Sequence, residues 1–509
     1  MTLPASPASE PAATGGWHRG LALLAAATFF MENLDGTVLV TAVPSIAADF
    51  QVASTDVNVT MTAYLVTVAM FIPVSGWLTE RFGDRKVFCT AIALFTAASA
   101  LCALSPDLTL LTLSRILQGI GGAMMVPVGR LVVLRYTDKK DLLRAIAFLT
   151  WPALLAPVIA PLIGGIFTSY LSWHWIFLIN VPLGMAAFWA AVRMVPVRTG
   201  GAPVRLDWFG LIGASVGIGA LVVGLELISG STDSAGSAGG VSAVVVLGFA
   251  AVSIAAAVWW MLRTPRPLFD LRTLRIRTFR VSNSGGFIYR TAISAAPFLL
   301  PLLFQNGYGW DPLRSGAMVA AVFVGNIAIK PATTPLIRGL GFRPVLLLAI
   351  VGSAITFVLC ALLPVGLPDP LIFALLVISG AFRSIGFTAY NSLQFADVGP
   401  KQMGSANALS ATVSQLGSGL GIAIGALSLR LGAELSVRAG GELSDGVGAG
   451  TAGNREGPAW AMMLAPDPLL PYRIAFLAMA ALILLCVIDT VRLPRDVASH
   501  VSGVRPESE

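Results

Sequence analysis

Apolar residues fall in long unbroken runs, separated by short segments that hold much of the Gly, Pro and charge. Runs of roughly 20 mostly apolar residues lie at about 22–44, 58–78, 87–105, 108–133, 145–168, 175–193 and 207–228. Seven more lie at about 241–262, 281–304, 313–337, 345–364, 369–391, 405–430 and 471–492. A helix of that length spans the hydrocarbon of a bilayer, whereas a membrane barrel would show alternation over about ten residues. The pattern predicts an all-α integral membrane protein with fourteen transmembrane helices. No basic segment or cleavage pattern precedes the first run, so it reads as a retained span and not a signal peptide. Residues 1–16, rich in Pro, Ala and Ser, read as a disordered tail.

Composition agrees. Of 509 residues, 56% are hydrophobic and only 12% charged, and the mean hydropathy is +0.81. Soluble domains carry about twice that charge, so a soluble enzyme, a disordered protein and a disulfide-stapled secreted domain are excluded. The net charge of +7 does not indicate nucleic acid, because the bases sit between apolar runs and form no single face. Cys89, Cys102, Cys360 and Cys486 lie inside apolar runs without metal or disulfide spacing and read as small core residues. The three histidines lie outside the spans or near their ends. With a cytoplasmic N-terminus, 24 of the 33 bases face the cytoplasm, and Arg115, Arg290, Lys330 and Arg383 fall within spans. The positive-inside rule then places both termini in the cytoplasm, with the chain in the cell inner membrane. The external stretch at about 431–470, rich in Gly, Ala and Ser, reads as a flexible loop.

The chain also repeats itself. Under a shift of 258 residues, Pro73, Leu78, Gly83, Arg85 and Val87 meet Pro331, Leu336, Gly341, Arg343 and Val345. This pairs spans 2–3 with spans 10–11. It divides the chain into a first six-helix half (17–193), a linker with two extra helices (194–262), a second six-helix half (263–492) and a tail (493–509). An even insert leaves both halves in the same orientation, the plan of secondary transporters that bind cargo between parallel repeats near the midplane.

The five lysines precede Val87, Lys140, Asp141, Pro331 and Gln402, so none sits in a phosphate-binding Gly-Lys-Ser/Thr loop. No zinc or haem spacing occurs. No cofactor or metal is expected, which leaves an ion gradient or facilitation as the driving force.

Five segments carry a family resemblance. After span 2 the chain reads Gly76-Trp-Leu-Thr-Glu80-Arg81-Phe-Gly83-Asp84-Arg85-Lys86. Gly83 permits a tight turn, and the charges can tie neighbouring helix ends together. The spacing resembles the signature loop of the major facilitator superfamily. Span 4 carries Arg115-Ile-Leu-Gln118-Gly119-Ile-Gly-Gly122, similar to that superfamily's buried-arginine motif. Span 5 carries Ala160-Pro161-Leu-Ile-Gly164-Gly165, similar to its antiporter motif, with Ala160 in place of the usual first glycine. Span 1 reads Leu34-Asp35-Gly-Thr37-Val-Leu-Val-Thr-Ala42-Val-Pro44. It resembles an element of fourteen-span drug:proton antiporters, as does Trp173-His-Trp175-Ile-Phe-Leu-Ile-Asn180-Val-Pro182-Leu-Gly184 at the start of span 6. The resemblance implies the major facilitator fold and proton-coupled export of small amphipathic compounds, with Arg115 acting in proton transfer. It also implies that the Gly76–Lys86 loop latches the outward-facing state. The glycines of span 5 equally suit close helix packing.

Charges inside a membrane are costly and mark function. Glu32 and Asp35 lie near the middle of span 1 on one helix face. Two close carboxylates resist double ionisation, which suits proton exchange. Asp35 is the expected proton site or cation partner, with Glu32 assisting; the alternative is structural pairing with Arg115 or another buried base. Glu226 and Asp489, near span ends, read as structural. In the second half Arg290, Lys330 and Arg383 lie near span centres, and the shift sets Glu32 on Arg290. Those bases either hold the carboxylate or phosphate of an anionic or zwitterionic cargo, or pair with Glu32 and Asp35 to close a gate. Gln118 is a further pocket candidate, and Phe29, Phe30, Tyr64, Trp151 and Phe387 can line a greasy cavity. The expected partners are a small-molecule substrate, protons and the bilayer. No docking element for a periplasmic adaptor is legible. The alternatives are a dedicated exporter of one siderophore, amino acid or antibiotic, or a non-transporting membrane enzyme or sensor.

Overall fold

The computed structural model describes residues 19–138, 141–197, 205–230, 237–265, 267–400, 402–445, 468–494 and 497–498. Among these the regular structure is helical throughout. The first half comprises α1 (Arg19–Phe50), α2 (Ser54–Phe71), α3 (Ser75–Phe82), α4 (Asp84–Ala103), α5 (Leu108–Arg135), α6 (Leu142–Tyr170), α7 (His174–Leu178) and α8 (Asn180–Met194). The extra pair is α9 (Trp208–Gly230) and α10 (Ser237–Arg263). The second half comprises α11 (Arg277–Ser294), α12 (Ala296–Leu302), α13 (Pro312–Ala328), α14 (Lys330–Leu340), α15 (Phe342–Ala361), α16 (Asp369–Gln394), α17 (Met403–Asp445) and α18 (Leu470–Val491).

Twelve spans among the described residues are long and apolar enough to cross a membrane, or thirteen with the bent pair α13–α14 counted as one. That is broadly consistent with the fourteen runs of the sequence; the 29-residue helix α6 occupies the fifth run. Two differences concern boundaries. The tenth run is broken by 48°, because Pro331 at the start of α14 lacks the N–H that would continue the ladder. And α17 continues to Asp445, through the first part of the stretch read as a flexible loop. Residues 446–467, the tail 1–16 and most of the tail 493–509 lie outside the described residues.

The repeat is visible in the backbone. Pro73 lies in the 3-10 turn Ile72–Val74 between α2 and α3, and its counterpart Pro331 marks the break before α14. Next, Gly83 (φ 86°, ψ 150°) joins α3 to α4 and Gly341 (φ 82°, ψ 169°) joins α14 to α15. Only glycine reaches that region without a Cβ clash. Both α4 and α15 then run for 20 residues.

Packing follows the small residues. A Cβ on Gly325 would lie 1.8 Å from Val377 O, and one on Gly380 would lie 1.9 Å from Val322 O, so α13 and α16 cross backbone to backbone. The halves meet where α6 packs on α13, α14 and α16, and where α17 packs on α3 and α5. The extra pair is peripheral: α9 sits against α2 and α17, and α10 sits on α9. Its outer residues, including Phe209, Val244 and Val252, are exposed, as expected of a face solvated by lipid.

Candidate functional site

Asp35 of α1 is 1% exposed and lies inside the first half. Arg115 of α5 donates from Nη1 to Asp35 Oδ2 at 2.5 Å. Gln118 Nε2 and Asn180 Nδ2 donate to Asp35 Oδ1 at 2.8 and 2.7 Å. Arg115 Nη1 also donates to Gln118 Oε1 at 2.6 Å, and Gln118 Nε2 to Ser99 Oγ at 2.7 Å. The guanidinium lies 4.1 Å from the Tyr64 ring centre. Five helices, α1, α2, α4, α5 and α8, therefore supply one polar cluster in an apolar surround. A buried ion pair is tolerated when its remaining lone pairs are satisfied in this way. The close approach of α5 to α2 depends on Gly119, where a Cβ would lie 3.0 Å from Tyr64 O.

Glu32 takes a different position. It lines a cavity of about 350 Å³ between the halves, with Phe29 and Asn33 of α1, Gly122, Val126 and Arg130 of α5, and Ile146 and Leu149 of α6. The opposite wall is Arg290 of α11, Phe387 and Asn391 of α16, and Ala411, Ser414 and Gln415 of α17. Asn33 Nδ2 donates to Glu32 Oε2 at 3.1 Å. The two acids, three residues apart, thus adjoin one another: Asp35 lies inside the first half, and Glu32 interacts with Tyr64, Asp35 and Arg115 of that cluster while bordering the interface cavity.

The three bases of the second half separate as well. Arg290 faces the central cavity, stacked 4.8 Å from the Phe387 ring centre. Lys330 is buried, donates to Thr388 Oγ1 at 2.8 Å, and lines a second cavity of about 590 Å³ with Arg19, Arg144 and Arg338. Arg383 donates to Ile293 O at 2.7 Å, while its Nε and Nη1 are buried without a hydrogen-bond partner. The ion pair that gathers Asp35 is with Arg115 and with none of these three.

The loop after span 2 ties several elements together. Gly76 is buried against α17, where a Cβ would lie 3.0 Å from Ala408 Cβ and 3.1 Å from Gly404 O. Glu80 and Arg135 both reach Gly404 in the first turn of α17. Asp84 forms an ion pair with Arg135, and Arg85 donates to Val192 O at the end of α8. Arg81 and Lys86 are exposed. Of the span 5 motif, Gly164 packs on α1, where a Cβ would lie 1.9 Å from Thr41 Oγ1, while Gly165 meets open space. The side chains of Pro161, Trp151 and Glu226 lie outside the described residues. Among the cavity candidates, Phe29, Phe387 and Glu32 line the central cavity, whereas Tyr64 stacks on Arg115 and Phe30 packs among the residues around Leu34 and Val38.

Sequence reasoning missed Asn180, Arg130 and Asn391. Asn180 was visible as a polar residue within the apolar run Ile179–Val181, which is the signal for a buried partner. Arg130 lies near the end of span 4 and counted with the loop bases, yet it faces the central cavity.

The family model of the Major Facilitator Superfamily matches residues 24–422 and 283–506. Proteins of Escherichia fergusonii and Shigella flexneri serotype 5b named multidrug resistance protein MdtD are each 35% identical over 407 residues, 79% of this chain and 84% of theirs. Two solved structures share the fold. The human organic anion transporter MFSD10 aligns with a TM-score of 0.61 at 13% identity, covering 94% of this chain and 100% of its own. The proton:xylose symporter XylE aligns with 0.60 at 11% identity, covering 96% and 98%. The chain is a multi-pass membrane transporter that belongs to the Major Facilitator Superfamily.

Proposed function

We propose that the protein is a proton-coupled antiporter that exports small amphipathic compounds across the cytoplasmic membrane, with both termini in the cytoplasm. The observation that carries this reading is the Asp35–Arg115 pair, buried beside a cavity that both halves line. A proton on Asp35 removes its charge and would weaken its bonds from Arg115, Gln118 and Asn180, so that they rearrange. That rearrangement would move α1 relative to α5 and α8, and α1 also carries Glu32 into the cavity. Proton uptake and cargo release would thus share one helix. The contact of Gly76 and Glu80 with α17 would hold the halves together at the cytoplasmic end while the opposite end is open. The names of the MdtD relatives support multidrug cargo.

The test is transport by the purified protein in liposomes under an imposed pH gradient. Asp35→Asn keeps the shape and is expected to abolish drug-dependent proton movement in a folded protein. Retained antiport in that variant overturns the assignment of Asp35.

A further inference from the structure

The central cavity contains a pair of bases that the proton site does not use. Arg130 of α5 and Arg290 of α11 come from opposite halves, and both donate to one acceptor. Their Nη2 atoms lie 3.1 and 3.4 Å from Asn391 Oδ1. Neither is paired with a carboxylate among the described residues. Each is stacked instead on an aromatic ring, Arg130 on Phe395 at 4.7 Å and Arg290 on Phe387 at 4.8 Å.

This arrangement is incomplete electrostatically. Each guanidinium carries five N–H donors, and one neutral amide oxygen serves both. Two cations held near one another away from bulk water repel, and a buried charge without a counter-charge is expensive. A carboxylate or phosphate corrects both defects, because it offers several acceptor oxygens and a negative charge to two forks at once. The wall beside the pair is apolar, with Phe387 from one half and Phe29 from the other.

We infer that Arg130 and Arg290 form the anion subsite of the cargo cavity, and that the cargo is an amphipathic molecule bearing a carboxylate or phosphate. This rests on the central cavity being the cargo site. The acid group lies between the two guanidinium groups and displaces them from Asn391, while the apolar part lies against Phe29 and Phe387. Because one base belongs to each half, the bound anion bridges the halves and favours their closure. Glu32 on the facing helix gives a zwitterion a partner for its amine and disfavours cargo with a second negative charge on that side.

The experiment is equilibrium binding to the purified full chain in detergent, with 1-naphthoate, 1-naphthyl phosphate and neutral 1-naphthamide as probes. At least one anion is expected to bind about tenfold or more tightly than the amide, a difference of about 1.4 kcal/mol. The other anion's affinity tells carboxylate from phosphate cargo. Arg290→Gln is expected to remove that preference, and Arg290→Lys to restore part of it. Asn391→Asp places a carboxylate between the two bases and is expected to abolish anion binding while the melting temperature is kept or raised. A merely structural role for the pair would not produce that combination. Equal binding of anions and amide, no anion binding, or unchanged affinity in both Arg290→Gln and Asn391→Asp overturns the inference. The assay imposes no gradient, so it separates the two readings. Anion binding without proton movement in liposomes would refute the antiport mechanism alone, and proton-coupled export without anion preference would refute the anion subsite alone.

Discussion

Arg383 donates to the main-chain oxygen of Ile293, the residue that the 258-residue repeat sets opposite Asp35. Each half therefore places an arginine of its fourth span against the same position of its first span. Only the first half supplies an acid there. Arg115 answers a buried carboxylate, whereas Arg383 answers one carbonyl and keeps two buried nitrogens without partners.

The two arginines are expected to behave oppositely when replaced. Arg115→Met leaves Asp35 buried without its counter-charge and is expected to cost about 3–5 kcal/mol. Arg383→Met removes an uncompensated charge and is expected to leave thermal stability unchanged or raised. Melting curves of the two purified variants check this, and an equal loss in both would contradict it.

The glycines of the repeated turn allow a paired test. Gly83→Ala and Gly341→Ala each force a Cβ into a region that only glycine tolerates, so each is expected to cost about 1–3 kcal/mol. Denaturation midpoints of the single variants should fall by similar amounts, since the two turns share one geometry. A loss at one turn only would mean that the repeat is not equivalent in energy.

Contact between α3 and α17 leaves no room at Gly76, where a Cβ already touches Ala408 and Gly404. Gly76→Val adds two further methyl groups, and overpacking costs about 1–3 kcal/mol. The state in which these helices touch should lose roughly tenfold in population. Crosslinking between Glu80→Cys and Ser405→Cys, whose side chains line one cleft, measures that state directly. Undiminished crosslinking in the valine variant would remove the latch role.

Lys330 lines the basic cavity and donates to Thr388. Lys330→Ala is expected to reduce export of anionic compounds and spare lipophilic cations, as measured by competition in inverted vesicles. Equal loss for both classes would instead assign Lys330 to a gate.

Much of this protein was legible without coordinates. Runs of about 20 apolar residues dictate membrane helices, because the bilayer leaves backbone groups no other way to be satisfied. The Gly83 and Gly341 turns, each preceded by a proline ten residues earlier, stood out as a repeat, and both glycines adopt the same positive-φ conformation before a 20-residue helix. Asp35, Glu32 and Arg115 stood out because charge at mid-membrane is rare.

What the chain order does not contain is which charge meets which. Asp35 and Arg115 are 80 residues apart, and Arg130 and Asn391 are 261 apart. Spacing along a helix put Glu32 and Asp35 on one face, but an apolar helix has neighbours on every side. Asp35 therefore lies wholly inside the polar cluster, whereas Glu32 borders both that cluster and the cavity. Arg130, counted with the loop bases by its position near a span end, faces inward because α5 is flanked by helices of both halves at that level. The sequence by itself determined the solvent, the all-helical class, the repeated turn and the family. Tertiary packing alone decided the pairing of the buried charges, since that depends on helix rotation and crossing, which long apolar runs leave undetermined.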